Sequence, residues 1–136
     1  MAEKEYDLGQ AELEVLKALW ELGRAPVRQV MNHLHANGRK VAYTTVLTFL
    51  TRLEQKGFVA ADKSELAYVY RARISRERVM RSRLKSLLAQ LYDGAAGQLA
   101  LQLIRSERLT AEELAELHKL IDRLDTKSRK TKRKGT

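Results

Sequence analysis

The sequence predicts a mostly α-helical fold with one small β-hairpin: three helices and the hairpin come first, and a region of three more helices follows. Three observations predict it. Apolar residues recur at helical spacing through most of the 136 residues. One short segment, Leu66-Ala67-Tyr68-Val69-Tyr70-Arg71, is instead rich in aromatic and β-branched residues, as strands are. Gly23, Gly38, Gly57 and Gly94 stand where periodic segments stop.

Residues 10–22 read as the first helix, with Leu13, Val15, Leu16, Leu19 and Trp20 on a broad apolar face. Gly9 takes its N-cap position, Glu12 its third helical position, and Leu8 is placed to staple onto Leu13. Ala25-Pro26 opens the second helix, since proline suits a first helical position. Val27, Val30, Met31 and Leu34 form its buried stripe, and Asn37-Gly38 ends it. Arg39-Lys40 leads into a third helix at residues 41–57. A helix, a tight turn and a second helix make a helix-turn-helix.

The third helix divides into two faces. Ala42, Val46, Phe49, Leu50 and Leu53 share one; Thr44, Thr48, Thr51, Arg52 and Gln55 share the other. Threonine is a mediocre helix former, and a merely soluble face more often carries Glu and Lys. Short hydroxyls and an arginine suit a surface that approaches something polar. By itself the face is equally an ordinary, weak outer face.

Residues 58–61 read as a strand, 62–65 as a turn and 66–71 as a second strand. A hairpin directly behind such a helix is a wing, so the first half reads as a winged helix-turn-helix. Lys63 at the tip and Arg71 at the base are placed to meet phosphates beside a groove; a lysine there also blunts an exposed hairpin edge.

Ser75 caps a fourth helix over residues 76–92, with Met80, Leu84, Leu87, Leu88 and Leu91 in one stripe. Residues 95–105 form a shorter helix whose apolar face holds Ala96, Leu99, Ala100, Leu103 and Ile104. Thr110 with Glu113 forms a capping box, and Leu109 with Leu114 a staple, ahead of the last helix. There Leu114, Leu117, Ile121 and Leu124 are spaced like a coiled-coil seam. Three Leu-rich helices of this size struggle to bury their own apolar surface. A second copy is the expected cover, and folding back onto the same chain is the alternative. The expected domains are 1–73, the winged helix; 74–125, a helical dimerisation region; and 126–136, a basic, disordered tail.

Composition narrows the function classes. With no cysteine, disulfides, thiolate zinc sites and cysteine nucleophiles are excluded. His33, His35 and His118 have no metal-ligand spacing to acids and read as surface or boundary residues. No glycine-rich phosphate loop or serine-nucleophile motif occurs, so no catalytic group, metal or cofactor is expected. The N-terminus lacks a signal-peptide pattern, and the longest apolar run, residues 66–70, cannot span a bilayer. A cytoplasmic protein without membrane insertion is the expectation. The net charge is +9, but residues 1–73 hold eleven Lys/Arg against nine Asp/Glu, and residues 74–125 nine against eight. The last eleven residues hold six and none, so most of the excess is in the tail.

The wording AELEVLKALW, AYTTVLTFLTRLEQKGFV and AYVYRA, followed by Leu-rich helices, resembles the penicillinase-repressor family, also called BlaI/MecI, over residues 8–124. The resemblance implies a homodimeric winged-helix repressor. It would bind palindromic double-stranded operators of β-lactamase, antibiotic-resistance or cell-envelope genes. In several members a membrane sensor protease relieves repression. The family's DNA-contacting run falls on Tyr43, Thr44, Thr45, Leu47 and Thr48, with Thr44 and Leu47 standing where well-known members carry basic residues. Its cleavage bond, Asn-Phe in those members, aligns with Gln102-Leu103. The C-terminal cysteines of copper-responsive relatives are absent. The expected DNA surface is therefore Arg39, Lys40, Tyr43, Thr44, Thr45, Leu47, Thr48, Thr51, Arg52, Lys63 and Arg71. The expected dimer surface is Met80, Leu84, Leu87, Leu88, Leu91, Leu99, Leu103, Leu114, Leu117, Ile121 and Leu124. The rival expectation is a winged helix that docks a protein without reading DNA.

Overall fold

The structure is a computed structural model that describes residues 6–134. Its order is α1 (Gln10–Leu22), β1 (Arg24–Pro26), α2 (Val27–Ala36), α3 (Tyr43–Gln55), β2 (Val59–Asp62), β3 (Val69–Ala72), α4 (Arg76–Tyr92), α5 (Ala96–Ser106) and α6 (Ala111–Lys134). Two compact units divide it, residues 1–90 and 91–136.

In the first unit, α1 begins where expected. The Gly9 amide donates to Glu12 Oε1 at 3.2 Å. Glu12 is buried, and its carboxylate accepts from Lys56 Nζ at 3.0 Å on both oxygens. Lys56 follows α3 as its C-cap and also donates to the Asp7 carbonyl at 3.0 Å. One ammonium thus ties the start of α1 to the end of α3.

The helix-turn-helix is held by its own backbone and two side chains. Gly38 takes φ +85°, a conformation that costs other residues strain, and turns the chain out of α2. The Arg39 amide then donates to the Leu34 carbonyl at 2.9 Å. Asn37 Nδ2 donates to the His33 carbonyl at 2.9 Å, and His35 Nε2 hydrogen-bonds the Val41 carbonyl at 2.8 Å. At the far end of α3, Gly57 again takes φ +85°. The Phe58 amide closes onto the Leu53 carbonyl at 2.9 Å and sends the chain into β2.

The hairpin gains a third strand. The sheet order is β1-β3-β2, antiparallel throughout, with Arg24 opposite Arg71 and Arg71 opposite Ala60. Ala25-Pro26 is therefore strand rather than the opening of α2, and Pro26 serves as the extended N-cap. An edge strand tolerates proline because one side of its backbone needs no ladder bond. The second wing strand starts at Val69, three residues later than the sequence suggests. The Ser64 amide donates to Asp62 Oδ1 at 3.0 Å, which ends β2 in an Asx-turn. The register then pairs Asp62 with Val69, leaving residues 63–68 as loop and Leu66 wholly exposed.

Val15, Leu16 and Leu19 of α1, Val30 of α2, Val46, Leu50 and Leu53 of α3, and Val59 of β2 are fully buried together. Tyr70 of β3 joins them. Trp20 Nε1 donates to the Ile74 carbonyl at 2.9 Å, fixing the exit of the wing. Ser75 Oγ accepts from the Arg78 amide at 3.2 Å at the start of α4. The line of α4 that packs on this core is Val79 and Ser82, with Arg83 Nη2 donating to the Leu8 carbonyl at 2.6 Å. Its leucines lie elsewhere: Leu84, Leu87 and Leu91 are exposed.

In the second unit no residue of α5 is buried, and Leu101, Leu103 and Ile104 are exposed. The capping box of α6 is fully formed. The Thr110 amide donates to Glu113 Oε1 at 2.9 Å, and the Glu113 amide donates to Thr110 Oγ1 at 3.0 Å. Leu114, Ile121 and Leu124 of the seam are exposed. Helix α6 does not stop at Asp125 but continues through Lys134. The tail expected to be disordered is thus helical as far as it is described, with residues 135–136 outside the described part. Lysine and arginine are good helix formers, and Arg129 pairs with Asp125 one turn back at 3.1 Å. Among the described residues, no helix is long and apolar enough to cross a membrane.

Leu50 has no exposed surface. Leu50→Ala should cost about 2–5 kcal/mol in a urea unfolding curve, and a shift below that range would mean that α3 sits in a different rotation.

Candidate nucleic-acid interface

Because Val46, Leu50 and Leu53 point into the core, Thr44, Thr45, Leu47, Thr48, Thr51 and Arg52 of α3 are left on the surface. Tyr43 joins them at the N-terminal end, with the guanidinium of Arg28 stacked 5.5 Å from its ring centroid. Thr48 Oγ1 donates to the Thr44 carbonyl and Thr51 Oγ1 to the Leu47 carbonyl, both at 2.9 Å. This internal bonding lets threonine sit in a helix interior. It also fixes the chemistry presented outward: each hydroxyl proton is spent inside the helix, so the oxygen faces out as an acceptor beside a methyl group.

Cations border this face on both sides. Before α3, Arg39 Nη1 pairs with Glu14 Oε1 at 2.9 Å, while Lys40 is exposed with no ion pair among the described residues. On the wing, Lys63 Nζ lies 3.3 Å from Glu54 Oε2 and 5.7 Å from the centre of the Tyr68 ring. Arg52 lies over Phe49 at 5.9 Å. Arg24 Nη2 is 3.5 Å from Asp62 Oδ2. The side-chain and backbone hydrogen bonds from Ser64 hold Asp62 below the usual carboxylate range, and Arg24 adds to the effect. Burial pushes the Tyr70 phenol upward, with Glu54 reinforcing it, so this ring anchors the wing in its neutral form. Exposed ion pairs contribute only about 0–1 kcal/mol. They orient these cations without locking them away from a stronger anion.

Two further cations come into view only with the fold. Arg28 becomes visible only when the helix-turn-helix brings the start of α2 beside Tyr43. Arg24 appears only with β1, whose register sets it directly across from Arg71 on the outward face of the sheet. A shallow cavity of about 280 Å³ on that face is lined by Arg24, Ala60, Ala61, Asp62, Val69 and Arg71. A basic residue two before proline, in the short link between two expected helices, gave no usable signal.

The histidines hold other partners. His33 Nε2 sits 2.8 Å from Glu21 Oε2, His35 is spent on Val41, and His118 is exposed. No group of three or more His, Asp or Glu gathers among the described residues. Gln102 and Leu103 are exposed but lie inside α5, where the Gln102 carbonyl accepts from Ser106 Oγ at 2.7 Å.

A family model described as penicillinase repressor matches residues 8–123. The penicillinase repressor of Staphylococcus aureus is 26% identical over 127 residues, which cover 93% of this chain and 100% of that one. The penicillinase repressor of Bacillus licheniformis is 27% identical over 115 residues, or 85% of this chain and 89% of its own. Among solved structures, a complex of hsRosR-S4 is similar at a TM-score of 0.50 and 18% identity, over 82% of this chain and 93% of that chain. That likeness concerns the fold.

Like charges directly opposite in a sheet repel. Arg71→Gln should therefore leave the urea midpoint unchanged or raise it slightly. A clear fall would mean that Arg71 supports the sheet rather than facing a partner.

Proposed function

The chain belongs to the penicillinase repressor family, and on that premise we propose that it is a homodimeric, sequence-specific DNA-binding repressor of transcription, acting on antibiotic-resistance or cell-envelope genes. The observation that carries this reading is the exposed threonine face of α3, backed by buried Val46, Leu50 and Leu53 and bordered by cations. α3 enters the major groove, a slot wide enough for one helix. Thr44, Thr45 and Thr48 meet base edges there. With its proton turned inward, Thr48 offers an acceptor to a cytosine or adenine amino group and a methyl to a thymine methyl. Tyr43, Leu47 and Thr51 complete the surface. Arg39, Lys40, Arg52, Lys63 and Arg71 hold phosphates and set the register, and Arg24 and Arg28 join them.

Residues 1–73 read the operator and residues 74–125 pair two copies, with Val79 and Ser82 lending α4 to the reading half as well. Support for pairing is the uncovered leucine surface. Leu84, Leu87, Leu91, Leu103, Leu114, Ile121 and Leu124 are exposed in one chain. Met80, Leu88, Leu99 and Leu117 are half-buried. Covering such a side chain fully contributes about 1.5–3 kcal/mol. A twofold pair also matches two half-sites of a palindrome. Release by a membrane sensor protease cutting Gln102-Leu103 belongs to the same reading, and it requires α5 to unwind locally before the bond is presented. The family is one of repressors and not of enzymes, and no chemistry is assigned to this chain.

Thr48→Ala should cost about 1–3 kcal/mol of discrimination at one position of the operator. An equal loss on operator and random duplex, measured by gel retardation, would count against base reading. Lys63→Ala should weaken all sequences alike and reduce the log–log salt slope by about one unit. Ile121→Glu should convert the sedimenting species from dimer to monomer; a persistent dimer would place the interface elsewhere.

A further inference from the structure

The last turns of α6 fall outside the stretch that matches the family, residues 8–123. From Thr126 onward they carry six cations, Lys127, Arg129, Lys130, Lys132, Arg133 and Lys134, and no acid. The helix is continuous from Ala111 through Lys134, so these residues extend the seam helix.

Their positions follow a pattern. The seam Leu114, Leu117, Ile121, Leu124 continues in the same alternation of three and four residues to Ser128 and Thr131. The seam line thus runs on through the extension but turns from leucine to small hydroxyl residues. All six cations fall off that line and spread over more than half the circumference. Two copies paired along the leucines would reach Ser128 with no apolar contact left. They would face each other through Ser128 and Thr131 alone, flanked by cations on both sides, and like charges brought close repel. The arms would part there, as basic helices fork from a paired seam.

We propose that residues 126–134 of α6 are a second nucleic-acid-binding element, a basic helical arm that grips the phosphate backbone of duplex DNA without reading its sequence. This rests on the repressor reading for its target and on the paired seam for its fork. Three observations select the ligand. The extension has no apolar residue, so it lacks the greasy face that holds an amphipathic helix in a membrane interface. At helical spacing its cations are distributed around more than half of one turn, which suits a groove with phosphates along both flanks better than a flat surface. Its remaining residues, Thr126, Ser128 and Thr131, are short enough to let a helix approach closely. Lysines, arginines and hydroxyls are also the side chains that make sequence-independent backbone contacts.

The test uses the full chain with all six cations changed to Gln, and a second variant with only Lys130, Arg133 and Lys134 changed. Affinity for an operator duplex and for a random duplex is measured across a salt series. Each lost phosphate contact flattens the log–log slope by about 0.9 unit. The six-Gln variant should lose about two units or more on both duplexes equally, and the three-Gln variant about half of that. An unchanged slope on both duplexes overturns the proposal. So does a tail-dependent loss that appears only on phosphatidylserine vesicles. A wild-type chain that prefers no sequence, yet shows the tail-dependent slope, would sink the operator reading and leave the basic arm standing. Operator preference with no tail dependence would do the reverse.

Discussion

The ion pair between Glu12 and Lys56 is the constraint on which the placement of α3 depends. A DNA-reading helix must be held at one tilt, yet most of its own surface has to stay free. Helix α3 meets this demand with one apolar line and with a tether at its end. Lys56 reaches from the C-cap to a buried carboxylate at the first turn of α1 and to the Asp7 carbonyl. The same carboxylate accepts the Gly9 amide, so it caps α1 and anchors α3 at once. A buried charge left without its partner costs about 3–5 kcal/mol. Lys56 is partly solvated, which places its loss toward the low end. The wing begins one residue later at Gly57, so its direction is inherited from this tether.

The threonines add a second constraint. A hydroxyl bonded to the carbonyl one turn back has a defined rotamer before any duplex arrives. Thr48 and Thr51 therefore present their acceptors and methyls already ordered, and on the proposed reading less side-chain entropy would be lost on docking. This gives a physical reason for residues of modest helix propensity on the most important helix of the chain.

Much of this was legible in the sequence because it is local. The stripes of α1, α2 and α3, the Ser75 cap and the Thr110–Glu113 box each depend on residues a few positions apart. What was not legible is set by distant pairing. Arg24–Pro26 becomes a strand only because β3 lies beside it, and Arg24 acquires its place from that register. The wing loop lengthens because Asp62 closes on Ser64, a local bond that the hydrophobic run 66–70 concealed. On α4, leucine count pointed to one stripe, while the core is met by Val79 and Ser82. The helical state of residues 126–134 was hidden by their charge, because a basic, apolar-free segment looks the same whether it is coil or the end of a long helix.

On the proposed reading, the carboxylates paired with surface cations bear on how long the protein stays at each site. Arg39, Lys63 and Arg24 each carry a carboxylate of the same chain, from Glu14, Glu54 and Asp62. On any duplex met as proposed, these internal counterions would compete with phosphate, so the net gain from each cation would be smaller. Affinity differences among related complexes reside mostly in dissociation. On the proposed reading the three ion pairs thus lower affinity for every duplex by a similar amount and shorten the stay at each site.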